Sequence, residues 1–420
     1  MQLVHAVVVG LVVWFLVGGL ARRIIPRNDP RLRRLVNAAL VVKLLAVPVE
    51  FYLVDHLYGG VADANGYYNQ GVHLANALRS GHFTYHGALI GDGATIISVA
   101  LILVVIGTTK LGAALAFSGL AFVGLCCFYR AFTISVPEGN NRRYAWLIFF
   151  FPSVVFWSAT FSKEAIMTLG LGVAALGAAK LLTRGRGAIW MLLVGFGIAM
   201  AIRPPIALIL FAGVGVAFVV RRGGRRTPLS PFAKILGIVV IVGGGLFLAN
   251  KTASFLHVSR LDNGTVQQVL NNNQTNLQSG NGEDQTGSSF QDHVSASPSA
   301  FPKDAVTVLF RPFPYEAHNN QELASSVEGL AILILFLISL RSMGGAIRLM
   351  RPRPYIAQVV VYSAAFIYAY SSLANFGLLN RERIQLLPLL FVLFALPQSK
   401  EKKPSLSTGR PRPSLIGHLQ

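Results

Sequence analysis

Long apolar runs recur from one end of this chain to the other, and they limit it to a helical membrane fold. A run of roughly 17–25 apolar residues lets an α-helix cross the hydrocarbon core of a bilayer. Of the 420 residues, 53% are hydrophobic and only 13% are charged. A membrane β-barrel would instead show short segments of alternating hydrophobicity. We therefore predict an all-α polytopic membrane protein with about 11 transmembrane helices.

The apolar runs give the positions of the predicted spans. They are 3–20, 35–54, 111–133, 144–160, 165–183, 187–202, 205–220, 232–250, 326–341, 355–372 and 384–397.

The basic loops give the predicted direction of the spans. Loop 21–34 is rich in arginine, and such loops stay on the cytoplasmic side. Basic loops at 142–143, 184–186, 221–226 and 341–353 share that side if the N-terminus is outside and the C-terminus is cytoplasmic. The net charge of +20 thus reflects membrane orientation rather than nucleic-acid binding. We predict a multi-pass protein of the cell (inner) membrane.

Residues 95–108 are apolar but few, and two interpretations of them are open. As a full crossing, they would place most later arginine clusters outside. As an outer juxtamembrane or re-entrant helix, they leave the basic loops on one side, and non-crossing helices occur at membrane depth when protein covers them. We favour the second interpretation.

The predicted organisation has three parts. Residues 1–34 form an extra N-terminal span with a basic loop, 35–397 the transmembrane core, and 398–420 a disordered basic tail. Two outer loops belong to the core, at 55–110 and 251–325. The middle of the second is rich in Asn, Gln, Ser and Gly, a composition that cannot bury a core.

Charged residues at the ends of the predicted spans all fall on the side opposite the arginine loops. Ionisable groups near the hydrocarbon are costly and mark functional sites. Most of them are candidates for binding an anionic substrate, and the two acids Asp63 and Glu164 for catalysis. The set, with one tyrosine, is Asp63, Tyr67, Lys163, Glu164, Arg203, Arg311, Glu316, Arg381 and Arg383.

Four of the candidates also have a plainer interpretation. Asp63 either takes a proton or binds a divalent cation, or it caps a helix predicted at 70–79. Lys163 and Glu164 either bind substrate or sit at a helix start that suits their charges. Arg203, at a break made by two prolines, either binds a lipid phosphate or pairs with an acid such as Glu164.

Five features in this order resemble membrane glycosyltransferases of the GT-C superfamily, and more narrowly the bacterial glycosyltransferase-family-39-like members. They are an acidic residue in the first outer loop (Asp63), a juxtamembrane helix ending in glycine (95–107), a P-x-x-x-x-W-S-x-x-x-x-K-E turn (152–164), an R-P-F-P-x-E string (311–316) and an Arg-x-Arg before the last span (381–383). The resemblance covers most of residues 35–397. The chain departs from the superfamily in having one acid with Asn65 where an acidic pair is usual, and in its extra N-terminal span.

The resemblance implies a polyprenyl-phosphate sugar donor, used outside the membrane with inversion, and a glycan, lipid or protein acceptor. It makes Asp63 the catalytic base or a metal ligand and matches Glu164 to the second acidic position. Arg203, Arg381 and Arg383 would hold the donor phosphate. Two rivals remain: a polysaccharide polymerase or ligase that uses a polyprenyl-pyrophosphate glycan, and a transporter of lipid-linked glycans.

Overall fold

The protein is helical throughout the part that its structure, a computed structural model, describes. That part comprises residues 2–26, 29–57, 63–83, 85–183, 188–221, 298–373 and 375–397, with positions 243 and 246. Within these ranges there is no β-strand.

Sixteen α-helices follow one another in these ranges. In chain order they are α1 (Gln2–Ile24), α2 (Pro30–Leu57), α3 (Asp63–Arg79), α4 (Asp92–Ile106), α5 (Lys110–Ser135), α6 (Asn141–Phe150), α7 (Pro152–Phe156), α8 (Lys163–Thr183), α9 (Ile189–Ile202), α10 (Pro204–Val220), α11 (Phe301–Phe310), α12 (Asn320–Met343), α13 (Ala346–Met350), α14 (Pro354–Tyr370), α15 (Phe376–Arg383) and α16 (Leu387–Phe394). Short 3-10 turns lie at Pro298–Ala300 and Pro314–Glu316.

Five of these helices are long and apolar enough to cross a membrane: α1, α2, α5, α8 and α12. Four shorter apolar helices, α4, α9, α10 and α14, accompany them. These lengths and compositions agree with the predicted class, a helical membrane protein. The count of eleven spans and the GT-C fold stay predictions.

Two predicted spans differ from the helices observed. The run 144–160 is two short helices, because α6 ends at Phe150 and α7 starts at Pro152, which has no N–H to continue the helix. The run 384–397 contains only the eight-residue α16, since a turn follows α15. The helix predicted at 70–79 starts earlier, at Asp63. The predicted span 232–250 has only positions 243 and 246 inside the described residues, and the tail 398–420 lies wholly outside them.

Helices α5 and α8 form the centre of the molecule. Their apolar windows are 83% and 78% buried, whereas those of α1, α2 and α12 are 22–28% buried. Helix α1 packs along α5, α9 along α8, and α14 along α10. The outward side chains of α1, such as Leu11, Phe15 and Leu16, are exposed, as contact with lipid requires.

Glycines let the central helices approach backbone to backbone. A Cβ at Gly172 of α8 would lie 2.2 Å from the carbonyl oxygen of Gly124 in α5, and one at Gly195 of α9 would lie 2.3 Å from the backbone nitrogen of Ala174. Small residues are the usual means of close helix packing in membranes. These contacts join α5, α8 and α9 into one unit.

Gly195→Ala should therefore destabilise the protein, by about 1–3 kcal/mol, because its methyl group overlaps backbone that cannot rotate away. At Gly197, on the same helix, no heavy atom of the described residues lies within 4 Å of the place that an added methyl group would take. Gly197→Ala is thus the matched control and should be neutral or slightly stabilising, since alanine favours the helix. The measurement is the free energy of unfolding in bicelles. Equal effects of the two substitutions would contradict the close packing of α8 and α9.

Polar contacts sort the helix ends into two groups. Glu138 pairs with Arg353, and Arg221 donates a hydrogen bond to the carbonyl of Leu181 (3.2 Å). We call this the basic end, because it holds the arginine loops. Glu164, at the other end of α8, is separated from Leu181 by about 25 Å at 1.5 Å per residue. We call that second end the site end.

Both ends of α4 approach the site end. At its start, Asp92 contacts Lys163 (2.7 Å). Just after it, the carbonyl of Thr108 accepts a hydrogen bond from Tyr68 in α3 (2.8 Å). Helix α3 packs against α4. This arrangement favours the interpretation in which 95–108 does not cross the membrane, which remains a prediction.

The orientation can be tested by cysteine labelling. Tyr315, at the site end, is 82% exposed, and Glu138 is exposed at the basic end, while the natural Cys126 and Cys127 are buried. An impermeant maleimide added to intact cells should label Tyr315→Cys and leave Glu138→Cys unlabelled until the membrane is opened. The reverse pattern would invert the predicted topology.

Candidate functional site

Breaks in the helices bring the site together. Helix α8 begins at Lys163 after a turn in which Ser162 accepts a hydrogen bond from the Ala165 N–H (3.1 Å). Glu164 thus lies in the first turn of α8, where the helix dipole favours a negative charge. Arg203 ends α9 and precedes Pro204 at the start of α10, as the two prolines predict.

Glu164 is the centre of the site. It is only 2% exposed, and its Oε1 accepts a hydrogen bond from Arg203 Nη2 (2.8 Å). The same oxygen is 3.4 Å from Arg381 Nε. On its other side, Arg203 contacts the buried carboxylate of Glu382. The pairing of Arg203 with Glu164, one of the two roles open to it, is therefore observed.

Two further ion pairs surround this centre, and their carboxylates belong to α3 and α4. Arg381 Nη1 donates to Asp63 Oδ2 (3.0 Å), and Lys163 Nζ is 2.7 Å from Asp92 Oδ1. Tyr67 of α3 donates its hydroxyl to the same Asp92 oxygen (2.5 Å). Asp63 is the first residue of α3 and Asp92 the first of α4.

The surroundings of Asp92 favour its ionised form. Partial burial would raise the pKa of this carboxyl group, but the hydrogen bonds from Lys163 and Tyr67 outweigh that effect and hold the pKa below its ordinary value. Asp92 is therefore an anion at neutral pH.

Burial divides the charged groups into layers. The side chains of Asp63 and Asp92 are 51% and 64% exposed, while their partners Arg381 and Lys163 are 26% and 21% exposed. Glu164 lies deeper still. From solvent inward, the order is carboxylate, cation, carboxylate.

Arg311, Glu316 and Arg383 form a neighbouring cluster rather than part of this centre. Arg311 Nη2 is 2.6 Å from Glu316 Oε1, and Glu316 also accepts a hydrogen bond from the Phe313 N–H (2.8 Å). Arg383 donates to the carbonyl of Arg311. Helix α15 lies between the two clusters, with Arg381 directed to Glu164 and Arg383 to the 311–316 turn.

The expected convergence of three arginines on one place is thus observed for two of them. Arg203 and Arg381 share Glu164. Arg383 does not join them in the contacts of the described residues, because positions two apart on a helix point to different sides. Glu316, taken from sequence as a substrate ligand, holds its own turn together through Arg311.

Polar groups of α2 support the turn before Glu164. The fully buried Lys43 donates to the carbonyl of Val155 and to Ser158 Oγ, both at 2.6 Å. Two helical turns further along α2, Glu50 accepts a hydrogen bond from Thr160 Oγ1 (2.7 Å). These bonds hold the chain between α7 and α8.

Sequence reasoning did not select Asp92 and Glu382, which the structure places in the site. Each had a signal. Asp92 follows Gly91 at the start of an apolar helix, and Glu382 is the acid enclosed by Arg381 and Arg383. An acid between two arginines near a membrane has cations at hand to pair with.

A divalent cation was one role open to Asp63. In the described ranges, no group of three or more His, Cys, Asp or Glu side chains is arranged to hold a metal ion. Asp63 and Asp92 instead contact the cations of the protein.

In comparisons with known proteins, no family model, no curated protein and no solved structure matches this chain. The resemblance to GT-C glycosyltransferases therefore rests on the sequence features alone.

Proposed function

We propose that this protein is a membrane glycosyltransferase that moves a sugar from a polyprenyl-linked phosphate donor to a glycan, lipid or protein acceptor at the outer face of the cell membrane. The observation that carries the proposal is the cluster at the site end. There the solvent-facing carboxylate of Asp63 pairs with Arg381, and Arg203 and Lys163 belong to the same network of ion pairs. A lipid phosphate and a reacting hydroxyl need these two kinds of group together.

The reaction assigns a role to each layer. The acceptor hydroxyl attacks the anomeric carbon of the sugar, and its proton passes to Asp63. The bond from that carbon to the phosphate oxygen breaks, and the prenyl phosphate leaves with the bonding electrons. Arg381, Arg203 and Lys163 stabilise the negative charge that develops on the leaving phosphate. Glu164, which is buried against both arginines, acts here as a positioning residue rather than the base.

A transporter of lipid-linked glycans is the rival from another class. The feature of the sequence that most favours a transporter is Lys43, a charged residue in the middle of the predicted span 35–54. In the structure, Lys43 binds the carbonyls at the end of α7 and Ser158. Its position is thus accounted for by support of the α7–α8 turn.

The direct test is a transfer assay with the purified full-length protein in nanodiscs. Short-chain prenyl-phosphate and prenyl-pyrophosphate sugars serve as donors and a mixture of membrane glycolipids as acceptors. We expect release of the prenyl phosphate or pyrophosphate with sugar transfer, lost in Arg381→Gln. If the donor stays intact in the assay but crosses the bilayer of proteoliposomes, the protein is a transporter and not an enzyme.

A further inference from the structure

The charged groups of the site are already balanced by one another. Lys163, Arg203 and Arg381 face four carboxylates, those of Asp63, Asp92, Glu164 and Glu382. The carboxylates thus outnumber the cations by one. An anionic ligand cannot simply add to this cluster, since like charges at such distances repel. It must replace a carboxylate.

An anionic ligand can displace only two of the four carboxylates. Glu164 and Glu382 lie buried beneath the arginines, and removing them would leave uncompensated charge inside the protein. Asp63 and Asp92 lie on the solvent side, are more than half exposed, and regain full hydration when they move. Exposed ion pairs are also weak, because water screens them.

The two exposed carboxylates lie on helices that contact each other. Asp63 starts α3, Asp92 starts α4, and the Tyr67 hydroxyl of α3 binds Asp92 (2.5 Å). Helices α3 and α4 pack along each other, and Arg79 of α3 donates to the carbonyl of Leu103 in α4 (2.5 Å). The Gly91 N–H donates to the carbonyl of Ala201 (2.8 Å), so the backbone at the start of α4 is held against α9. The two carboxylates would therefore leave their cations by rotation of their own side chains.

We infer that Asp63 and Asp92 are built-in counter-anions that a substrate headgroup displaces from Arg381 and Lys163, so that the site selects a headgroup with two negative charges. This inference rests on the proposed function and deepens it. A single phosphodiester replaces only one of the two carboxylates. A pyrophosphate diester replaces both, which makes the pyrophosphate-linked glycan the better-matched donor.

Displacement of Asp63 from Arg381 also allows Asp63 to act as the base. While Asp63 is paired with Arg381, its Oδ2 is occupied by the hydrogen bond from Nη1 (3.0 Å). Once the ligand takes Arg381, the freed carboxylate lies beside the headgroup and can accept the proton of the attacking hydroxyl. Binding of the correct headgroup would thereby create the base.

The test measures binding of two probes to the full-length protein in nanodiscs by calorimetry. Farnesyl methyl phosphate carries one negative charge, and the P1-farnesyl P2-methyl pyrophosphate carries two. Wild-type protein should bind the pyrophosphate more tightly. Asp92→Asn should bind the single phosphate about two- to fivefold more tightly than wild type, the size expected when an exposed competing ion pair is removed. The ratio of the affinity for the pyrophosphate to the affinity for the single phosphate should therefore be smaller in Asp92→Asn than in wild type.

Glu138→Gln is the matched control, because it also neutralises an exposed carboxylate paired with arginine, but at the basic end. Its affinities should equal those of wild type, which excludes a general effect of net charge. Unchanged or weaker phosphate binding in both Asp92→Asn and Asp63→Asn would overturn the displacement inference alone. Two outcomes would contradict the proposed function as well. In the first, wild-type protein binds neither probe; in the second, Arg381→Gln binds the probes as tightly as wild type.

Discussion

Glu164→Gln should destabilise the protein strongly. Glu164 is almost fully buried and is shared by Arg203 and Arg381. Removing one partner of a buried ion pair typically costs about 3–5 kcal/mol, because the remaining charge is left without compensation in a region of low dielectric. Glu382 and Asp63 each still hold one arginine, so we expect the lower part of that range. The free energy of unfolding in bicelles gives the value.

The control is again Glu138→Gln. That substitution breaks an exposed pair with Arg353, and exposed pairs contribute less than about 1 kcal/mol. Equal free energies of unfolding for Glu164→Gln and Glu138→Gln would contradict the buried ion-pair centre described around Glu164.

Asp63→Asn should lower the rate of sugar transfer by about 10²–10⁴-fold, the usual contribution of a general base. Its side chain is half exposed, so the substitution should leave the protein folded. Ligand binding should become tighter rather than weaker, because asparagine no longer competes for Arg381. The measurements are transfer rate, donor affinity and unfolding free energy on the same preparation.

This separation of effects distinguishes a base from a structural residue. A purely structural role would lower stability and binding along with the rate. Near-normal transfer by Asp63→Asn would show that Asp63 is not the base. The base would then be another group, such as the exposed carboxylate of Asp92, or catalysis would depend on positioning alone.

Much of this arrangement could be predicted from the sequence, because membrane helices are recognised by the length of their apolar segments and by the polar residues at the segment ends. The prolines after Arg203 gave the break between α9 and α10, and the charges at span ends gave most members of the site. The interruption of 144–160 at Phe151 was not recognised, since hydropathy averages over a turn that contains only apolar residues.

The pairing of charges could not be predicted. Arg381 and Arg383 look equivalent in the sequence, but they point to different sides of α15, one to Glu164 and one to the carbonyl of Arg311. Which side faces the centre depends on how α15 is rotated about its axis. That rotation is set by packing against other helices, and no local pattern records it.

The glycine contacts between α5, α8 and α9 have a mechanical consequence. Where two backbones touch, as at Gly172 and Gly195, helices cannot slide or rotate without separating, so this part of the protein is stiff. Glu164 and Arg203 are carried by it and stay in place. Asp63 and Asp92 reach the cations of the site from the solvent side through exposed side chains. The movement that a substrate headgroup requires therefore falls to these two side chains, while the buried charges keep their positions.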